Sequence, residues 1–400
     1  MSEASTEAAF TEDLFGRDEL SAALRRELRG LVERLLREEL LRAVGARRYE
    51  RTAERRGYQH TARERTITTT AGTVAVTVPR GRLFSEDGPT EEWRSELLPR
   101  YARRAREVDA ALVGLYLSGT NTRRLKRALA PLWKGAPLSK STVSRLLVAL
   151  REQYEGWRER DLSGEHFAVL YLDAAYVAVR LAKRVEKLPV AVAVGVREDG
   201  QKVLVGLWFY ASEGRSAWGA ALEDLTARGL QTPALVVIDG SKGLRSAVAE
   251  QWPQVAVQRC TVHKLRNLEA HAPQRLHDEL RQDYRAIVYA ADDRAGRRAW
   301  ARFTSKWKKL CPAVVTSLGE AGEELLTFYR FPESQWKALR TTNIVERVIE
   351  EFRRRVKTQA VLPNAESVLL LLYGLMASGQ LRLRKLDGYQ ELPQLIERAA

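Results

Sequence analysis

Only two of the 400 residues are cysteines, Cys260 and Cys311. That is too few for a disulfide framework, and it points to a reducing compartment. Long apolar runs are missing as well. The longest, VLLLLYGLMA at 368–377, falls well short of the roughly 20 residues a spanning helix needs, so it reads as a buried core helix and no membrane partner is expected. The first residues, MSEASTEAAFTEDLFG, are acidic and lack the basic start and apolar block of a secretory signal; the expected location is the cytoplasm. Acidic charge is in deficit too. With 66 Lys and Arg against 51 Asp and Glu the formal net charge is +15 and the pI about 9.9, so the favoured partner is a polyanion, with nucleic acid first and a membrane surface second.

What is present is enough apolar material, 45% of the chain, to bury a substantial core in more than one domain. Residues 1–50 form an N-terminal helical region in which Leu20, Leu24, Leu28, Leu31 and Leu35 recur at helical spacing, a stripe for a local core or for dimerisation. Residues 51–105 carry a β-hairpin, RERTITTTAGTVAVTVPRGR at 63–82, turning at Ala71-Gly72 and with Pro79 ending its second run. Arg63, Arg65, Arg80 and Arg82 border it and could track phosphates.

Over 106–155 three helical segments follow. The first carries Val108, Leu112 and Leu115 and ends at Ser118-Gly119. The second begins after Thr120 or Thr122 and carries Arg123 and Arg124, and the third runs from Ser139 to Leu150. They resemble a helix-turn-helix whose last helix offers Lys140, Ser141, Thr142, Ser144 and Arg145 to a major groove; any three-helix bundle would show the same pattern.

Residues 165–260 change character. FAVLYLDAAYVAVR, LPVAVAVGV and KVLVGLWFY are successive strands, the last two joined through Glu198-Asp199-Gly200. A helix over Arg215 to Arg228, the doubly buried strand ALVVID, another helix from Ser241 and the strand VAVQR complete a mixed sheet. An all-α insertion, 261–337, precedes the final helices at 338–400.

Two carboxylates in the sheet region stand out. Asp173 interrupts an apolar strand, where an unpaired charge costs several kcal/mol, so it belongs at a strand end, against a cation or paired with a base. Asp239 follows a buried strand directly, at the edge where sites gather in parallel sheets. Each could also be a simple helix or strand terminus. In RTTNIVERVIEEFRRRVK at 340–357, roughly 100° per residue puts Val345, Val348, Ile349, Phe352 and Val356 on one apolar face. Glu346 borders that face with Arg353 and Lys357 near it; Glu350 is the second choice for a core-facing carboxylate, and Glu351 reads as surface.

The order YLDAAY, then VVIDG with RCTVHKLRN, then TTNIVERVIEEFRRR, together with GYQHTARERTITT…VTVPRGR and GLYLSGTNTRRLKRAL…SKSTVSRL upstream, resembles the Mutator-type bacterial insertion-sequence transposases across most of the chain. The resemblance implies an RNase H-like mixed five-stranded sheet, with the all-α insertion before the last catalytic helix and a mainly helical DNA-binding region, hairpin and helix-turn-helix included, in front. It places the family's Asp, Asp, Glu triad on Asp173, Asp239 and Glu346, which would hold two Mg²⁺ or Mn²⁺ ions, and its Cys-x-x-His feature on Cys260 and His263. Two ligands do not make a tetrahedral zinc site, so these two residues, with Asn343 on the helix carrying Glu346, take a structural or DNA-positioning role. Arg353 and Lys357 would join the DNA contacts.

The implied activity is a transposase that binds the terminal inverted repeats of its element, cuts a strand to free a 3′-hydroxyl, and joins that hydroxyl to target DNA. It would act as a homodimer on double-stranded DNA at the bacterial nucleoid. The alternatives are a nuclease or resolvase of the same fold that does not join strands, and a non-catalytic helix-turn-helix regulator.

Overall fold

The computed structural model describes residues 19–85, 88–120, 125, 129, 140–181, 184–359 and 364–393. The chain divides into two units, Met1–Ala149 and Leu150–Ala400. Most of the second helix expected after Thr120, with Arg123 and Arg124, lies outside the described residues, as do the side chains of Lys140, Ser141, Thr142 and Ser144.

In the first unit, α1 (Glu19–Val44) lies on a sheet of β1 (Gly57–Thr69), β2 (Gly72–Leu83) and the short β3 (Glu91–Glu92), in the order β1-β2-β3. The helix and the hairpin, divided at residue 50 in the sequence reading, share one core: Leu28, Val32 and Leu36 pack with Ile67, Val74, Val76, Val78 and Leu98. The buried row therefore steps by four residues through Leu36, Leu40 and Val44, whereas Leu20, Leu24, Leu31 and Leu35 of the expected stripe stay exposed. Glu33 helps fix this rotation, because its carboxylate accepts the Thr77 backbone N–H at 2.8 Å. Pro79 also departs from expectation. It lies within β2 opposite Ala62, where the register shifts between Gln59 and Ala62; a bulge is where a residue without an N–H can sit in a sheet. Beyond the hairpin, α2 (Arg106–Leu117) contributes Val108 and Leu112 to a small core with Leu125, Leu129, Leu146 and Leu147, the last two on α3 (Lys140–Arg158).

The second unit is built on the mixed five-stranded sheet that the sequence led us to expect: β4 (Phe167–Leu181), β5 (Arg184–Arg197), β6 (Lys202–Phe209), β7 (Leu235–Ile238) and β8 (Ala256–Arg259), ordered β6-β5-β4-β7-β8. β4, β5 and β6 pair antiparallel, and β4, β7 and β8 pair parallel. At the β5–β6 turn Asp199 Oδ1 accepts the Gln201 N–H at 2.9 Å and Gly200 takes φ +80°, a conformation glycine adopts without strain. On one face α4 (Arg215–Ala227) and α5 (Lys242–Gln251) bury Trp218, Leu222, Leu225, Leu244 and Val248 against Leu170, Leu172, Val236 and Ile238. Two late helices cover the other face, α11 (Asn343–Gln359) against β4 and β5, and α12 (Ala365–Ala377) against β6. The result is a helix, sheet, helix sandwich.

Between the two halves of this sandwich runs a helical block of α6 (Thr261–His271), α7 (His277–Val288), α8 (Asp293–Leu310), α9 (Pro312–Ala321) and α10 (Glu333–Leu339). No strand occurs there among the described residues. The block closes the outer edge of β8. Gln258, fully buried, donates to Leu325 O at 3.0 Å and accepts the Phe328 N–H at 2.8 Å, and Thr327 donates to Val257 O at 2.7 Å. These side chains supply partners that a free strand edge would lack.

Lys264 is 3% exposed and donates to Ser317 O at 2.7 Å, joining α6 to α9. Burial, with Arg259 nearby, pulls its ammonium down to about 8. An unfolded lysine titrates near 10.4, so between pH 8 and that value the unfolded chain binds more protons and stability rises with pH. Below pH 8 the full cost of the buried charge is carried. Lys264→Met is therefore expected to stabilise the fold by roughly 1–3 kcal/mol at pH 7, with the gain shrinking from pH 8 upward. Urea denaturation over a pH series measures it, and a gain that does not change with pH would show that the charge is not what is costly.

Candidate active site

The parallel ladder between β4 and β7 ends with Leu172 opposite Ile238, and the next residue on each strand is an aspartate. Leu170 and Leu172 turn toward α4 and α5, so strand alternation sends Asp173 to the opposite face with Tyr171. Tyr171 there donates its hydroxyl to Ala338 O at 3.1 Å. Asp173 is not at the end of its own strand, since β4 continues along β5 with Asp173 opposite Val192; it marks the point where β7 stops. It is 5% exposed.

Asp239 is held by the turn that follows it. Its Oδ1 accepts the Ser241 N–H at 2.8 Å, Gly240 adopts φ +100°, and Arg259 Nη2 donates to Gly240 O at 2.7 Å. The positive φ at position 240 is what calls for glycine there.

Cys260 and His263 link this edge to the helix that carries Glu346. The Cys260 N–H donates to Ile238 O at 2.7 Å, prolonging the β7–β8 ladder, and its buried Sγ accepts the Thr342 N–H at 3.4 Å. The Thr261 N–H donates to Arg340 O at 2.9 Å, and Thr342 Oγ1 lies 3.4 Å from His263 Nδ1. The start of α6 is thereby tied to the start of α11. Glu346, in the first turn of α11, places Oε1 3.5 Å from His263 Nε2 and 3.1 Å from Arg266 Nη1. On the same helix Val345, Val348, Ile349, Phe352 and Val356 are buried, Arg353, Lys357 and Glu350 are exposed, and Asn343 lies exposed at the helix start. Glu351 is more sheltered than a surface residue, because Arg354 and Arg355 of its own helix pair with it.

Charge in this cluster is strongly coupled. Burial, with the charge of Asp239 added, pushes the Asp173 carboxyl up to about 7, while His263 and hydrogen bonds from Ala174 and Thr342 oppose the rise. The hydrogen bond with Cys260 and the charge of that thiol, and then the charges of Asp173 and Glu346, push His263 up to about 9 against its burial, which favours its cationic form at neutral pH. The oxygens of Asp173 and Asp239 suit a hard divalent cation, and a buried carboxylate with a raised pKa needs a cation to stay ionised. The donor set thus fits such an ion. Among the described residues no three His, Cys, Asp or Glu side chains are arranged to hold one, and Glu346 pairs with Arg266 and His263.

Arg266 and Thr342 escaped the sequence reading. Arg266 stands one helical turn after His263, and Thr342 immediately before α11; those spacings were the available signals.

The candidate DNA contacts of the first unit separate. Arg63 is exposed. Arg80 and Arg82 share Glu92 of β3, at 2.7 and 3.8 Å, an acid that no sequence pattern had linked to them. Arg65 does not face a free phosphate track: its guanidinium donates to Leu98 O at 3.2 Å, to Pro99 O at 3.1 Å and to Ala102 O. Those carbonyls use its donors, and the side chain is partly buried. Arg145 is exposed on α3.

Residues 2–382 match the family model "Transposase, Mutator family". The chain is 36% identical over 352 residues to the transposase for insertion sequence element ISRM5 of Rhizobium meliloti (strain 1021), covering 88% of this chain and 86% of that protein. It is 34% identical over 355 residues to the transposase for IS406 of Burkholderia multivorans, covering 88% of each. It is 31% identical over 330 residues to the transposase for IS256 in transposon Tn4001 of Staphylococcus aureus, covering 81% of each.

Cys260→Ala removes the acceptor of the Thr342 N–H and leaves a small void. We expect a loss of roughly 1–3 kcal/mol with faster hydrogen exchange confined to 341–346, measured by urea unfolding and exchange mass spectrometry. Unchanged exchange there would show that the sulfur does not anchor α11.

Proposed function

This chain belongs to the Mutator family of transposases, and on that footing we propose that it mobilises an insertion sequence. It would bind the element's terminal inverted repeats, hydrolyse one strand at each end to free a 3′-hydroxyl, and use that hydroxyl to attack a phosphodiester of target DNA. The observation that carries the reading is the pair of aspartates at the end of the β4–β7 ladder, with the helix that carries Glu346 tied to the same edge through Cys260 and Thr342 and Glu346 facing His263. The strand order, three antiparallel strands continued by two parallel ones with helices on both faces, supports an RNase H-like catalytic core.

Asp173, Asp239 and Glu346 would hold two Mg²⁺ or Mn²⁺ ions, which when bound supply activation of the attacking oxygen and neutralise charge on the transferring phosphate. The chain's own groups do the rest. His263, cationic at neutral pH, offsets the two carboxylates it faces. Arg266 orients Glu346. Arg353 and Lys357, exposed on the same helix, would hold phosphates of the DNA. Residues up to about 150 would read the element ends, with Arg63 of the hairpin and Arg145 of α3 among the contacts. Since two ends must be held together, the active form would be a homodimer on DNA.

Asp173→Asn, Asp239→Asn and Glu346→Gln keep side-chain shape and remove charge. Each should lower both cleavage and strand transfer in Mg²⁺ at least about a thousandfold, the several kcal/mol that charge stabilisation by bound metal provides. Binding to end DNA should stay nearly unchanged, and Glu350→Gln should stay within about twofold of wild type. Gel assays on a duplex carrying the repeats that flank the gene read all three activities. Cleavage without joining by the wild-type protein would make it a nuclease, and full activity of Glu346→Gln would move the third carboxylate elsewhere.

A further inference from the structure

Beside α11 lies a cleft of about 640 Å³ to which no role has yet been given. Asn343 and Arg347 of α11 form one wall, the start of β6 and the end of α10 a second, and the segment 380–387 a third. Arg347 follows Glu346 directly, so the cleft begins roughly 100° around the helix from the carboxylate.

Its walls are cationic. Arg382 and Arg384 project from the 380–387 segment and join Arg347, Lys202, Lys337 and Lys385. Two acids, Glu351 and Asp387, stand among the lining residues. Glu351 is already paired with Arg354 and Arg355 of its own helix, and Asp387 stands 3.8 Å from Lys337. Lys385 pairs with Asp199 at 3.2 Å. Arg347, Arg382 and Arg384 are exposed and have no acidic partner among the described residues. Burial lowers the pKa of the Lys202 ammonium, with Asp387 opposing the fall and Arg347 adding to it.

The lining contains no aromatic ring. Sites for single strands use aromatic platforms on which bases stack, whereas guanidinium forks without rings suit phosphate oxygens. Position narrows the ligand further. Lys202 is opposite Val196, which is opposite Val169, four residues along β4 from Asp173 and two strands away. That is roughly 15 Å, or about four nucleotides of a duplex at 3.4 Å each.

We propose that this cleft is a phosphate track that grips the backbone of duplex DNA flanking the reacting phosphodiester, without reading its sequence. The proposal rests on the transposase reading. The duplex is either the element end or the target, which present the same chemistry.

The test uses the full chain and a random-sequence duplex. Arg347→Gln/Arg382→Gln/Arg384→Gln should lower the slope of log affinity against log salt by roughly 2–3, at about 0.9 per lost phosphate contact, and weaken binding at least about tenfold at about 50 mM salt. The corresponding triple lysine variant should restore the slope. An unchanged slope in the glutamine variant, or a slope that lysine does not restore, overturns the proposal. Should the glutamine triple unfold, the exposed single change Arg384→Gln should still lower the slope by about 1, and no change there overturns it equally.

Loss of cleavage on an end duplex by the glutamine triple assigns the track to the element end. Loss confined to joining of a pre-cut end assigns it to the target. Wild-type protein that binds DNA but neither cuts nor joins removes the transposase reading, while the salt slope still decides whether the cleft holds a backbone.

Discussion

The burial of Asp173 is the constraint on which the catalytic unit turns. A carboxylate 5% exposed in the middle of an apolar sheet is tolerable only if something balances it. Here the balance is a histidine on one helix and a threonine ahead of another, with a second aspartate adding to the strain instead of relieving it. A site that assembles negative charge and leaves it partly uncompensated is prepared for a cation.

The helical block between β8 and α11 takes its place in the same arrangement. Gln258 and Thr327 pin it to the edge of the sheet, Lys264 joins its first helix to α9, and Arg340 stacks over Tyr289 at 3.9 Å while donating to Val288 O at 3.2 Å. These contacts decide where α11 begins. Glu346, in the first turn of that helix, faces His263 and Arg266 of the block's first helix. The charge excess has a comparable logic. Many basic residues are paired or used on carbonyls, as with Arg65, Arg80 and Arg259, so the formal charge overstates what is available to a polyanion. Arg347 on α11 and Arg382 and Arg384 in the cleft beside it are exposed and free to meet one.

Much of this was legible in local sequence. Alternation and β-branched runs marked the five strands, Asp-Gly marked the turn after β7, and helical spacing picked out the buried face of α11 through Val345, Val348, Ile349, Phe352 and Val356, because these features depend on periods of two and 3.6 residues that any short window displays. Family motifs in a fixed order gave the transposase kinship.

Tertiary structure alone decided the rest. It chose which row of α1 leucines is buried, since a sheet selects a face that composition leaves open. It let β2 run through Pro79 by shifting its partner's register. It turned Arg65 onto carbonyls more than thirty residues away, set Glu92 between Arg80 and Arg82, and brought Thr342 and Arg266 into the carboxylate cluster. Each of these outcomes depends on contacts between segments distant in sequence. A carbonyl or carboxylate that arrives from elsewhere in the fold leaves no periodic trace at the residue it will engage.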